Sequence, residues 1–282
     1  MNGFFDLFSI RLGKPVEDFI KWLVVNYDSF FDGIKGGVLW VLLRLQNFMT
    51  WIPWFVVIAL ILYLGWKMIS WKAGIVFSLM LFLIGAMGYW EAMMLTLAIV
   101  MAAVVISLVL GIPLGILAAN KEGFNGVMTP VLDAMQTMPS FVYLIPAIMF
   151  FGLGAVPAVF ATTIYSLPPV IRLTTLAILS VSPEMVEASE SYGASFWQTL
   201  FKVELPQAMP TIMAGVNQTT MMAMAMVVIS SMIGAGGLGY DVLVAINRTD
   251  IAKGFESGIS IVFLAIIVDR LTQAVSRRFK QS

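Results

Sequence analysis

Residues Glu187–Pro206 read EASESYGASFWQTLFKVELP, a polar stretch set between long apolar segments. Glu184 just before it, with Glu187 and Glu190 in its first half, supply negative charge that complements the positive end of a helix dipole. Pro183 suits a first helical turn, which needs no intrahelical N–H. Gly193 permits a tight turn. Phe196, Trp197, Leu200 and Phe201 then recur at helical spacing and give a second helix an apolar anchor. The stretch therefore predicts two short helices joined at Gly193. As an ordinary connector it would need none of these aromatic groups. As a docking element it has anchors of the kind that dominate interfaces.

The surroundings decide the solvent. Apolar residues make up 60% of the 282 residues and charged residues 11%, and the mean hydropathy is +0.94. A soluble domain is nearer half apolar and a quarter charged, so the chain belongs in a bilayer. Sixteen basic and sixteen acidic residues cancel, which gives no argument for a nucleic-acid partner. The sequence has no cysteine and no histidine, so it lacks disulfides, the commonest metal ligand and the commonest general base. No GxxxxGK[ST] loop is present: the Gly13-Lys14 pair runs into Pro15. ATP, if used, must be bound by another chain. The opening MNGFFDLFSIRLGKP lacks the basic region and long apolar core of a signal peptide.

A spanning helix needs about 20 mostly apolar residues. On that criterion the expectation is about seven spans, near residues 51–70, 73–91, 94–118, 127–150, 153–171, 208–234 and 255–275. Pro113, Pro130, Pro139, Pro146 and Pro169 fall in or beside spans. Such breaks are tolerated where neighbouring protein satisfies the freed backbone, so the kinks are expected to face inward. Seven spans place Lys67, Lys72, Lys121, Lys202, Arg270, Arg277, Arg278 and Lys280 on one side, the cytoplasmic side by the positive-inside rule. The N-terminus is then outside, against Arg11, Lys14, Lys21, Lys35 and Arg44, and the C-terminus inside. The apolar run Val38 to Leu43 is too short for a further span. Before the spans, Phe19, Ile20, Leu23, Tyr27, Phe30, Phe31 and Ile34 recur at three- and four-residue steps, which predicts an amphipathic interfacial helix. The simpler role for it is a strut packed on the bundle.

The hairpin resembles the EAA loop of ABC importer permeases. Glu187-Ala188, then Gly193, then Leu205-Pro206 match at the family's offsets, with Ser189 where the family most often has alanine. The resemblance extends through DAMQTMPSFVYLIPAIMFFGLG, SLPPVIRLTTLAI, LPQAMPTIMAGVNQTTMMAMAMVVISSMIGAGGLG and GFESGISIVFLAIIVDRLTQ, over roughly Tyr89 to Gln273, to permeases of glycine betaine/proline betaine uptake systems. It implies an all-α, polytopic membrane bundle of the type I importer fold, and with the residue patterns it divides the chain into an N-terminal amphipathic segment (1–50), an accessory transmembrane pair (51–92), a transmembrane core (93–275) carrying the coupling loop 183–206, and a short tail (276–282). It also implies a permease homodimer, two cytoplasmic ATPases that hold ATP and Mg and often carry CBS modules, and an extracellular betaine-binding protein. The chain itself would bind no cofactor.

Polar residues inside a membrane are candidates for function. In span 127–150 these are Gln136, Thr137 and Ser140, with Tyr143; in span 208–234 they are Asn217, Gln218, Thr219 and Thr220. Asn217 and Thr220 share one side, continued by Met221 and Met224. This side either lines the solute path or bonds helices together, the latter worth about 0.6–2 kcal/mol per bond. Asp133 and Arg172 are explained by interfacial placement. The run Gly234–Gly239 reads as a break at the outer surface, part of a docking surface or a flexible turn. A secondary transporter would call for inverted repeats and a buried carboxylate at mid-membrane, and neither is found. A scaffold without transport leaves the hairpin's spacing unexplained.

Overall fold

The computed structural model describes residues 13–279. The opening read as lacking a signal, Arg11 and Lys280 lie outside the described residues, apart from Gly13, Lys14 and Pro15. The described chain forms twelve helices: α1 Gly13–Asn26, α2 Asp28–Trp51, α3 Trp54–Met68, α4 Trp71–Ala86, α5 Trp90–Asn120, α6 Glu122–Thr137, α7 Leu144–Phe151, α8 Ala155–Leu179, α9 Pro183–Ser191, α10 Phe196–Ile233, α11 Gly237–Arg248 and α12 Ile251–Phe279. α10 runs unbroken through a π-helical turn at Leu200–Glu204 and closes in a 3₁₀ turn at Ser231–Ile233.

Among the described residues α5, α8, α10 and α12 are each long and apolar enough to cross a membrane, and up to six segments are if each of two bent pairs counts as one. The expected span 127–150 is corrected: α6 and the segment Ser140–Phe151 meet at 110°. Met138 precedes Pro139 and is extended, with ψ 133°, as the proline ring requires of the residue before it. The expected spans 51–70 and 73–91 are helices of 15 and 16 residues. At about 23 Å they fall short of a hydrocarbon core of about 30 Å. The amphipathic pattern is also divided. Tyr27, at φ −122° and ψ 26°, separates α1 from α2, and α2 continues to Trp51 through the stretch read as too short. α2 packs on α5, α7 and α8, with Phe31 stacked 4.6 Å from Phe150.

α5, α8 and α10 form the centre. Little hydrophobic force acts between helices in lipid, so close packing and hydrogen bonds must hold them. Gly111 and Gly115 let α5 approach α8: a Cβ there would lie 2.3 Å from Val170 Cγ1 and 2.8 Å from the Ile171 carbonyl oxygen. Ser107 Oγ lies 3.1 Å from Ser166 Oγ, and the Thr175 hydroxyl donates to the Gly115 carbonyl at 3.0 Å. Pro113, Pro130 and Pro169 lie inside unbroken helices; Pro169 is buried in α8, whereas Pro113, Pro130 and Pro139 are exposed. Proline removes one backbone donor on whichever face it occupies, so its presence sets no direction.

The contacts define two ends of the bundle. At one, the starts of α5, α11 and α12 meet: the Tyr89 hydroxyl donates to Glu256 at 3.4 Å, and Lys253 Nζ lies 3.0 Å from Asp241. At the other, α9 and the beginning of α10 pack beneath the ends of α5 and α8.

Candidate functional site

α9 starts with Pro183 in its first turn and ends at Tyr192. Gly193 turns the chain with φ +80°, a conformation that a side chain would strain. Ser195 then caps α10 in a reciprocal box. Its side chain accepts from the backbone three residues on, and its own N–H donates to Gln198 Oε1 at 2.8 Å. Ser189 Oγ meets Thr199 Oγ1 at 2.9 Å, so the serine found where the resembling family has alanine links the two arms.

One side of the hairpin is a root. Leu200 is buried with Ala177, Ile178 and Val181 from the end of α8, and with Ala208 and Ile212 from α10; Val186 and Leu205 pack against this group. Leu200 is therefore corrected from a partner-facing anchor to a residue of the chain's own core. The second arm is likewise no separate short helix but the first turns of α10. Successive helix positions point about 100° apart, so Leu200 turns inward while Trp197 and Phe201 turn outward.

The other side is largely exposed, its Met185 Sδ accepting from Gln207 Nε2 at 3.2 Å. Tyr192 is 94% exposed and Trp197 64%, with Met185, Phe196 and Phe201 also exposed. Trp197 stacks on Phe201 at 6.0 Å and meets Phe196 edge-on at 5.3 Å. Glu184, Glu187, Ala188, Glu190, Gly193 and Pro206 of the same hairpin are exposed too, while Leu205 is half-buried. The Ser182 hydroxyl donates to the Glu184 carboxylate and holds its pKa below the usual range. The result is a hairpin with exposed aromatic groups and exposed carboxylates, backed by a packed root. Met185 and Tyr192 were not singled out from sequence. Tyr192 stands at the turn that Gly193 announced.

The polar residues of the spans separate. Asn217 Nδ2 donates to Asp269 Oδ1 of α12 at 3.3 Å, and the Thr272 hydroxyl donates to Asn217 Oδ1. Thr220 is buried and bonds back to Val216, and Met224 is buried while Met221 is half-buried. This stripe packs within the chain. Gln218, Gln136 and Thr137 are exposed. Tyr143 is buried, its hydroxyl donating to the Met135 carbonyl across the α6–α7 bend. Arg172 and Asp133, read as separate interfacial residues, form an ion pair at 2.5 Å between α8 and α6. At the far end the glycine run is packed rather than flexible. Gly237 sits on α5, and the Leu238 N–H donates to Thr96 Oγ1 at 2.9 Å. The second half of that run already belongs to the helix α11, which continues to Arg248.

Residues 111–281, more than half of the chain, match the family described as binding-protein-dependent transport system inner membrane component. The chain belongs to that family; it is a multi-pass membrane permease subunit. It is 47% identical over 268 residues to the glycine betaine/proline betaine transport system permease protein ProW of Escherichia coli, covering 95% of this chain and 76% of that one. It is 43% identical to the glycine betaine transport system permease protein OpuAB of Bacillus subtilis, covering 96% of each chain. It is 44% identical to the glycine betaine/carnitine transport permease protein GbuB of Listeria monocytogenes, covering 94% of this chain and 97% of that one. Its fold is similar to the MetNI methionine ABC transporter in an inward-facing conformation, with a TM-score of 0.61 at 20% identity over 66% of this chain and 93% of that one.

Proposed function

We propose that the chain is the membrane subunit of an ATP-driven importer for glycine betaine or a related quaternary-ammonium compatible solute, serving osmoprotection. The observation that carries the reading is the exposed aromatic hairpin continuous with a 38-residue helix. A force applied at Trp197 reaches the bundle centre without crossing a loop. The relatives' names supply the solute class.

On this reading two copies of the chain share the path, with residues 93–275 as the core of each, residues 51–92 as an accessory pair, and residues 1–50 and 276–282 as flanking segments. Two cytoplasmic ATPases, with or without CBS modules, hold ATP and Mg and dock at the hairpins. An extracellular binding protein delivers the solute at the opposite end. The hairpin end and the C-terminus are cytoplasmic, and the N-terminus is outside. Alternating access follows if the docked ATPases stabilise one arrangement of the helices more than the other. Gln136, Thr137 and Gln218, exposed on the single chain, are better placed to meet the path or the second copy than Asn217, Thr220, Met221, Met224 and Tyr143, which are engaged within it. A betaine has no net charge, and its ammonium group is best held by an aromatic cage. The delivering protein supplies that cage, and the permease needs no tight trap.

The test is uptake of labelled glycine betaine by vesicles carrying the reconstituted complex with its binding protein. Uptake should require ATP on the hairpin side and persist with ionophores that collapse ion gradients. Uptake that ignores ATP and stops with ionophore would replace this reading with a gradient-driven transporter.

A further inference from the structure

We propose that the groove between the α3–α4 hairpin and the core seats an acyl chain of an anionic phospholipid, whose headgroup is held by Lys67, Lys72, Arg277 and Arg278. Two parts of the chain far apart in sequence build the cationic end. Arg278 Nη2 donates to the Lys67 carbonyl at 3.2 Å, which joins the end of α12 to the turn between α3 and α4. Among the described residues none of the four cations is in an ion pair with a carboxylate. All four are exposed.

Their neighbours mark the headgroup level. Trp66 and Trp71 are exposed, and tryptophan concentrates where the bilayer meets water. Lys67 Nζ lies 3.1 Å from the Tyr63 hydroxyl, and Lys72 Nζ lies 5.8 Å from the Trp71 ring. The groove itself encloses about 410 Å³ and is lined by Val57, Ile61, Val105, Leu264 and Leu271, among others, on α3, α5 and α12. Ile61 and Leu271 are each six residues before a cation, Lys67 and Arg277. A helix rises about 9 Å over that distance, so the cations stand at the headgroups when the groove lies among acyl chains. A one-sided excess of Lys and Arg explains basic loops. It does not explain the contact that ties Arg278 to Lys67 on the two helices, α12 and α3, that line this apolar groove. Guanidinium and ammonium groups together suit a phosphodiester, and a zwitterionic headgroup would bring an ammonium that four cations repel.

The complex with its ATPase, in mild detergent, is exposed to an equal mixture of phosphatidylglycerol and phosphatidylcholine, and the lipid retained per permease chain is measured by mass spectrometry. Phosphatidylglycerol should be retained over phosphatidylcholine by about tenfold or more. Lys67→Gln with Lys72→Gln should lower that preference about tenfold, and adding Arg277→Gln and Arg278→Gln should abolish it. Val105→Trp, which fills the groove and leaves the cations, should lower retention of phosphatidylglycerol. The double lysine variant keeps the test open if the fourfold variant fails to assemble. Equal retention of the two lipids by the unaltered complex, or unchanged retention in the charge variants, would overturn the proposal. So would loss of the ATPase from the charge variants with phosphatidylglycerol still bound, since the cations would then be a protein-docking site. None of these readouts depends on which solute is carried.

Discussion

The coupling hairpin and the α3–α4 hairpin are both pairs of helices joined by a short turn, yet they are held together in opposite ways. α3 and α4 close on each other through bare backbone. A Cβ on Gly65 would lie 2.7 Å from Gly74 Cα, and one on Gly74 would lie 2.6 Å from the Leu62 carbonyl oxygen. The coupling hairpin is fastened at its base and through polar links, by Leu200 in the packed root and by the Ser189–Thr199 contact. Its rings point away. In lipid, a pair of helices gains stability from close approach, so the accessory hairpin spends its contact surface inward. The coupling hairpin keeps its largest apolar groups exposed among carboxylates, which is useful only if something else covers them.

The largest effect expected from breaking this contrast is on the coupling side. Trp197→Ala with Phe201→Ala should weaken ATPase docking by about 2–4 kcal/mol, the range of interface hot spots, while the isolated permease melts as before. Titration of the ATPase against the solubilised permease measures the first, and a thermal melt the second. Weakened melting with normal docking would reverse the assignment of the two faces.

Gly74→Leu tests the other hairpin. Side-chain atoms would be forced onto backbone that has no rotamer to change, and stability should fall by about 1–3 kcal/mol. Uptake per folded complex should stay unchanged. A loss of coupling at normal stability would make α3–α4 part of the cycle rather than a support.

A third change separates packing from path inside α10. Asn217→Leu should cost about 0.6–2 kcal/mol in stability through the lost bonds to Asp269 and Thr272, and uptake should fall only as folded complex is lost. Gln218→Leu, on the exposed face, should do the reverse. Measuring uptake per folded complex beside the melting temperature distinguishes them.

The smallest effect belongs to Ser189→Ala. Removing one hydroxyl contact should loosen the hairpin by less than about 1 kcal/mol, seen as faster amide exchange at Thr199 with docking affinity nearly unchanged.

Much of this contrast was legible beforehand. Glu184, Gly193 and the aromatic spacing announced a charged helix, a turn and a second helix, because caps, turns and periodicity act over a few residues. Leu200 was misread as facing outward for a reason of the same kind. A helical apolar stripe names a face without naming what covers it, and here α8 covers part of that face. Asn217 and Thr220 were correctly put on one side of α10, but only the position of α12 shows that this side is filled.

By itself the sequence determined the solvent, the helical class, the neighbourhoods of the apolar helices and the place of the coupling turn. Each follows from local composition, from the length needed to cross lipid, or from a residue type such as Gly193 whose conformation is set by its own sterics. The tertiary structure decided which way each stripe faces, the 110° bend between α6 and the Ser140–Phe151 segment, the shortness of α3 and α4, and the Arg172–Asp133 and Arg278–Lys67 contacts. The facing of the stripes and the two contacts depend on residues brought together from distant parts of the chain. Helix periodicity carries phase within one helix, and only packing fixes the phase of one helix against another.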